Sequence, residues 1–251
     1  ALGQGRPMTP EAFPSPTFWE GKSVVVTGGA GFLGKPTVRL VEELGGEVRV
    51  PRSAEQDLTD PVACRQALAG ADVVLHLAAN VGGIGFNRRN PAPLARDNLA
   101  MGLNVFEACR ELGVGKLVAA CSVCAYPKFT AVPFSEDDLW SGYTEESNDT
   151  YGLAKKMLIV FSDAYRRQYG LDSCVPVIAN LYGPEDNFDL EAQGRLPAAV
   201  AAAREATRLE PRQWRAWAVR SRLKVMSGHP RAAVASYRAD RSLNPNLPLI
   251  Q

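Results

Sequence analysis

Eight residues, Thr27–Gly34, read TGGAGFLG and set Gly28, Gly31 and Gly34 three apart. They close a β-branched run, Ser23–Thr27 (SVVVT), which has the texture of a buried parallel strand. They also open Phe32–Leu44, where apolar residues recur at helical spacing until Gly45–Gly46 stops them. A glycine turn between strand and helix lets the backbone approach a pyrophosphate, and the positive end of the helix favours its charge. The feature therefore calls for a βαβ unit and points to a dinucleotide. The bland alternative is a tight strand-to-helix corner, so the surrounding pattern has to decide.

That pattern alternates. Glu47–Val50 reads as a second strand, and Asp60-Pro61 opens a helix with Asp60 as N-cap and Pro61 as its first residue. Val73–Leu77 (VVLHL) is a third strand, Asn98–Leu112 a helix closed by Gly113, and Lys116–Ala120 a fourth strand. Thr150–Tyr169 is a long helix closed by Gly170, and Cys174–Ala179 a further strand. Strands alternating with helices predict an α/β fold, a Rossmann-type doubly wound parallel sheet with helices on both faces.

The texture changes after Pro197. Residues 198–206 (AAVAAAREA) are alanine-rich helix, and no strand pattern comes after them. Pro211, in LEP, and Pro245, in LNP, are 34 residues apart, the period of a tetratricopeptide repeat. Trp217, Gly228, Ala233 and Tyr237 fall where that repeat places its large, turn, small and aromatic residues, while Asp240 stands where it prefers alanine. An ordinary helical hairpin is the alternative. The expected organisation is a proline-rich leader (1–21), a dinucleotide-binding domain (22–197) and a short all-helical, tetratricopeptide-like tail (198–251). One and a half repeats bury no solenoid core alone, so the tail is expected to dock on the α/β domain or on a protein partner.

Composition excludes some classes. A formal net charge of +1 gives no global attraction for nucleic acid or an anionic membrane. No apolar run reaches the roughly 18 residues of a membrane span, and the leader lacks the apolar stretch of a signal peptide. Five scattered cysteines point to reduced thiols and a cytoplasmic setting.

Chemistry-bearing residues lie beyond the cradle. At the end of the second strand the chain reads VRVPRS, with Arg49 and Arg52 and no carboxylate. Guanidinium groups suit a 2′-phosphate, so NADP(H) is expected before NAD. Tyr151 and Lys155 form Y-x-x-x-K at the start of a helix, where i,i+4 spacing puts phenol and ammonium on one face. A nearby ammonium is expected to lower the tyrosine pKa and make it a proton donor and acceptor at a sugar carbonyl or hydroxyl. Ser122, in the loop Cys121-Ser-Val-Cys124 beyond the fourth strand, would bond the same oxygen. Cys121 and Cys124 have C-x-x-C spacing, but zinc needs two more ligands, and the only histidines are His76 and His229. His76, ending a buried strand, reads as a core residue, so no metal site is expected.

The stretches LHLAANVGGIGFNRRNP, CSVCAYPK, YGLAKK and NLYGPEDNF, within about Lys22–Pro197, resemble the GDP-L-fucose synthases. These are sugar-nucleotide epimerase/reductases of the extended short-chain dehydrogenase/reductase class. The resemblance implies an NADP(H)-dependent enzyme that epimerises GDP-4-keto-6-deoxymannose at carbons 3 and 5 and reduces the ketone at carbon 4, a step of GDP-fucose biosynthesis. It implies Ser122, Tyr151 and Lys155 as the reductase triad and Cys124 as the epimerisation base. It adds Asp57-Leu58 as the adenine-contacting pair and Leu77-Ala78-Ala79 as the loop over the cofactor, so the expected cofactor set is Gly28, Gly31, Phe32, Leu33, Gly34, Arg49, Arg52, Asp57, Leu58, Leu77, Ala78, Ala79 and Asn98, with Tyr151 and Lys155. Asn180 and Asn187 would begin the sugar-nucleotide site, with the Tyr182-Gly183-Pro184 turn.

Two departures stand out. Where the family carries a histidine acid shortly before a proline, this chain has Gly194, before Leu196-Pro197 in the run QGRLP. Where the family continues into a substrate domain, the tail begins. Impaired epimerisation is expected from both. The alternatives are a non-catalytic nucleotide-binding scaffold or sensor with a partner-binding tail, and an NAD-dependent epimerase/dehydratase for another nucleotide sugar. Helices 98–112 and 150–169 are the ones that pair in homodimers of related enzymes.

Overall fold

The computed structural model describes residues 16–82, 84–131, 133–146, 148–179, 181, 204 and 208. The chain separates into two compact units, Ala1–Gly183 and Pro184–Gln251, and the first holds all of the described residues but two. Apart from those two, Arg204 and Arg208, both helical, the predicted tail lies outside the described residues, as does most of the leader.

Five parallel strands form the main sheet: β1 (Ser23–Thr27), β2 (Glu47–Arg49), β3 (Val73–His76), β4 (Lys116–Ala119) and β6 (Ser173–Cys174), in the order β2-β1-β3-β4-β6. β5 (Cys121–Ser122) pairs in parallel with β7 (Val177–Ile178) in a separate two-stranded sheet. The helices are α1 (Gly34–Glu43), α2 (Pro61–Leu68), α3 (Ile84–Arg89), α4 (Pro91–Leu112) and α5 (Asp149–Tyr169). The doubly wound parallel architecture read from the alternation is what forms.

Period-two alternation explains the layers. Val25, Val74 and Leu117 face a core that α2, α4 and α5 close with Leu68, Phe106 and Leu158. Val24, Val26, Val73 and Leu75 face the opposite way, onto Val41 and Val38 of α1 and onto Trp19. Phe106 is fully buried and packs at 5.8 Å and 5.7 Å from the rings of Phe161 and Tyr165, tying α4 to α5. Burying one such ring contributes on the order of 1.5–3 kcal/mol.

Caps behave as local chemistry dictates. The Asp60 carboxylate accepts from the amides of Val62 (2.7 Å) and Ala63 (3.2 Å), with Pro61 in the first turn. Gly113 and Gly170 close α4 and α5 in the left-handed conformation. Three readings are corrected. The helix expected from Asn98 starts at Pro91, because prolines in a first turn lose no helical hydrogen bond there. The strand expected over Cys174–Ala179 is two, β6 and β7, with Pro176, which has no N–H to donate, between them. The segment after β4, expected as a loop, begins with β5 and a single 3₁₀ turn, Val123–Ala125.

The chain moves outward from β1 to β2, then crosses back to β3 on the other side. The carboxyl ends of β1 and β3 therefore flank a topological switch point, where open α/β sheets bind ligands. Among the described residues no helix is long and apolar enough to cross a membrane.

Candidate active site

The glycine turn occupies that switch point. Gly28 has φ +71°, and a β-carbon on it would lie 2.8 Å from the Ala78 amide nitrogen at the exit of β3. A β-carbon on Gly34 would lie 2.1 Å from the Gly28 carbonyl oxygen. No side chain fits at either position, so the backbone itself lines the crevice. Leu33 precedes α1 and supplies no side-chain cap; the Lys35 amide donates to the Gly31 carbonyl oxygen (3.0 Å), the Thr37 amide to that of Leu33 (3.3 Å), and Pro36 has no N–H, so the start of α1 meets a ligand chiefly with its positive dipole end. Phe32 and Leu33 are half-buried and Gly31 is exposed. The turn suits a diphosphate because its glycines let the exits of β1 and β3 and the start of α1 pack backbone to backbone, and the positive end of α1 lies there.

The two arginines separate. Arg49 lies in register with Val25, whose side chain faces α2. Its guanidinium donates to the carbonyl oxygens of Ala69 (2.7 Å) and Ala67 (3.5 Å) at the C-terminal end of α2. This helix runs back toward the amino ends of the strands, away from the cradle, so the Arg49 guanidinium serves here as a helix C-cap and not at the cradle. Arg52 is exposed in the turn beyond β2, two residues after Val50, whose side chain presses on Gly29. Asp57 is exposed and accepts from the amide and hydroxyl of Thr59, at 2.9 Å and 2.8 Å. The Leu58 side chain is buried in the core, and Asn104 holds its carbonyl oxygen at 2.9 Å, so only backbone is offered to a ligand there.

Beyond β3, Leu77, Ala78 and Ala79 form the other lip. The Ala78 amide donates to the Thr27 hydroxyl (3.2 Å), which sits 2.8 Å from Nδ1 of His76. His76 is 1% exposed, and burial, helped by the charge of Lys155, pushes its pKa down to about 3. A neutral imidazole thus braces both lips, as the core reading of this residue implied. Asn98 is buried. Its amide donates to the carbonyl oxygens of Asn80 (2.7 Å) and Leu94 (2.8 Å) and its oxygen accepts from the Asn80 amide (3.0 Å). With both ends of its amide engaged, it clamps the lip to α4.

Ser122, Cys124, Tyr151 and Lys155 converge where β5 and its 3₁₀ turn meet the start of α5. The Ser122 hydroxyl lies near enough to the Tyr151 phenol to act on its acidity. The Ser122 hydroxyl also accepts from the Cys124 amide at 3.2 Å and so caps the turn. Lys155, 4% exposed, is pushed down to about 8 by burial. Tyr151 is pushed up to about 12, first by burial and then by the neighbouring Cys124 and Cys121, against the effect of Ser122. The lowered tyrosine expected from Y-x-x-x-K is therefore reversed in sign, because burial and the two neighbouring cysteines all raise the phenol and only Ser122 acts the other way. A buried tyrosine that stays protonated is a proton donor, and a lysine near 8 can change protonation state close to neutrality.

Cys124 is half-buried, and its sulfur accepts from the side-chain amide of Asn148 at 3.1 Å. Cys121 is buried with its thiol on the Lys155 carbonyl oxygen (3.3 Å), and burial raises its pKa. Among the described residues no group of three His, Cys, Asp or Glu gathers to hold a metal. Asn180 and Asn187, with the Tyr182-Gly183-Pro184 turn and Gly194, lie outside the described residues. Sequence reasoning missed Thr27, Asn87, Asn148 and Gly152. Only Gly152, inside YGLAK, carried a signal, since a glycine within a helix marks a close approach.

The profile of the NAD dependent epimerase/dehydratase family matches residues 24–219. The GDP-L-fucose synthase of Sinorhizobium fredii is 37% identical over 189 residues, covering 74% of this chain and 60% of that protein. This chain thus spans about 60% of the length of that curated relative. A GDP-L-fucose synthetase from Naegleria fowleri solved with NADP superposes with a TM-score of 0.63 at 30% identity, over 76% of this chain and 64% of that one. The GDP-mannoheptose C4 reductase MlghC of Campylobacter jejuni, with NADP bound, gives 0.65 at 25% identity, over 72% and 58%.

Proposed function

The chain belongs to the NAD dependent epimerase/dehydratase family, and from that premise we propose that it is an NADP(H)-dependent epimerase/reductase of a GDP-linked 4-keto-6-deoxy sugar. The observation that carries this is the meeting of the Ser122–Cys124 turn with the start of α5, where Gly152, next to Tyr151, lies against the Cys124 carbonyl and the Cys121 thiol reaches the Lys155 carbonyl oxygen at 3.3 Å. Relatives named as GDP-L-fucose synthases and NADP-bound neighbours support the substrate class and the cofactor.

NADPH would lie on the Gly28–Gly34 backbone, with Arg52 toward its 2′-phosphate, and supplies the hydride for the ketone. The protein's own part is proton management. In epimerisation, the Cys124 sulfur as thiolate takes a proton from a carbon next to the ketone. The carbon–hydrogen bond breaks, a sulfur–hydrogen bond forms, and the electron pair moves onto the ketone oxygen. Ser122 and Tyr151 hydroxyls donate to that oxygen as its charge grows, the type of stabilisation worth about 3–4 kcal/mol per donor. In reduction, Tyr151 gives its proton to the same oxygen. Gly194, where the resemblance places the family's histidine acid, has no side chain to return the carbon proton, and loss of a positioned acid costs roughly 10²–10⁴ in rate.

The test is incubation of the chain with NADPH and GDP-4-keto-6-deoxymannose in D₂O. NADPH consumption abolished by Tyr151→Phe, with slow deuterium uptake abolished by Cys124→Ser, is the expected result. NADPH binding with neither activity would overturn the enzyme reading in favour of a nucleotide-binding scaffold.

A further inference from the structure

Asn148 is the N-cap of α5, yet its side chain makes no capping hydrogen bond. Asparagine at this position ordinarily accepts from the second or third amide of the helix and stabilises it by roughly 1 kcal/mol. Here both ends of the side-chain amide are turned elsewhere. Nδ2 donates to Cys124 Sγ at 3.1 Å, and Oδ1 accepts from Nδ2 of Asn87 at 2.6 Å. Asn87 is 5% exposed, and its own Oδ1 accepts from the Gly82 amide at 3.1 Å.

The chain of bonds has one direction. The Gly82 N–H can only donate, so it takes the oxygen of Asn87 and turns the Asn87 nitrogen outward. That nitrogen takes the oxygen of Asn148, and the Asn148 nitrogen is left to face the sulfur. A backbone amide at the far end thereby orients an N–H donor at Cys124. A side chain that forgoes its local role to complete a link across 61 residues is a break in local consistency of the kind found at functional sites.

We propose that Asn148, oriented by Asn87, is the positioning residue of Cys124: it fixes the sulfur in one place and favours the charged thiolate by donating to it. The proposal rests on Cys124 being the epimerisation base. It also assigns the segment around Gly82 a part in setting the base, although that segment lies far from it in the chain.

Iodoacetamide labelling of the intact chain, read by peptide mass spectrometry, tests this without turnover. The exposed Cys174 on β6 is the internal reference. Asn148→Ala is expected to slow Cys124 labelling relative to Cys174 by about three- to tenfold, the range one hydrogen bond to sulfur supports. Asn148→Asp separates positioning from folding. Aspartate keeps the size of the side chain and the oxygen that accepts from Asn87 but has no N–H to give the sulfur, so a purely structural residue tolerates it, whereas a donor to sulfur does not. Asn148→Asp should keep the melting temperature, slow Cys124 labelling as Asn148→Ala does, and lower deuterium uptake in parallel. Asn87→Ala should give a smaller slowing of the same sign. An unchanged or faster Cys124-to-Cys174 ratio in folded Asn148→Asp overturns the positioning role. The expected slowing with no deuterium uptake in the unaltered chain would instead count against the epimerase reading.

Discussion

Gly152 and Cys124 approach so closely that a β-carbon on Gly152 would stand 2.3 Å from the Cys124 carbonyl oxygen. The tyrosine-bearing helix can meet the Ser122–Cys124 turn only because the residue after Tyr151 has no side chain. In a free helix, glycine to alanine would stabilise by roughly 1 kcal/mol. Here the opposite sign is expected. Gly152→Ala should lower unfolding free energy by about 1–3 kcal/mol, the usual cost of overpacking, and reduce NADPH turnover more than cofactor affinity. Denaturant unfolding and steady-state kinetics on the same variant check both parts.

The two arginines should part company in binding assays. Arg52→Ala is expected to weaken NADPH binding by roughly ten- to a hundredfold, the range of hydrogen bonds to a charged group, and to leave NADH unchanged. Arg49→Ala removes a donor to the carbonyls of Ala69 and Ala67, so it should leave the NADPH-to-NADH ratio alone and cost about 0.3–1 kcal/mol of stability. Calorimetric titration with each nucleotide decides, and loss of NADPH preference in Arg49→Ala would sink this assignment.

Lys155 sets an alkaline signature. Its folded-state pKa of about 8 lies below the ordinary 10.5. Between these values the unfolded chain binds more protons than the folded one, so stability rises with pH across about 8 to 10.5. Tyr151 works in the reverse sense: raised from 10 to about 12, it makes stability fall across that window. A stability profile with a rise and then a fall is expected, with the rise flattened in Lys155→Met. NADPH affinity should decline above about pH 8 as the ammonium facing the site is lost.

His76 governs the acid side. Burial holds it near 3, against 6.5 when free, so the unfolded chain takes up a proton that the folded chain refuses. The stability contributed by neutral His76 is present above pH 6.5 and is lost as pH falls toward 3. Thermal melts over this range should show a slope of about one proton that His76→Gln removes. A slope unaltered by the substitution would show that other groups drive acid unfolding.

Much of the architecture was legible because its causes are local. The valines of β1, the Asp60-Pro61 cap and the glycines closing α4 and α5 act on neighbours a few residues away. The cradle was legible for the same reason, since a strand, three spaced glycines and a helix are contiguous. What only the tertiary structure decided depends on faces, burial and long separations. Arg49 and Arg52 look alike in VRVPRS, yet the register of β2 on β1 turns Arg49 under α2. Tyr151 and Lys155 have the spacing of a charge pair, yet burial sets the direction of both pKa shifts. Asn87, Asn148 and Cys124 carry no common motif, because hydrogen bonds between side chains from three segments exist only once the sheet and helices have brought those segments together.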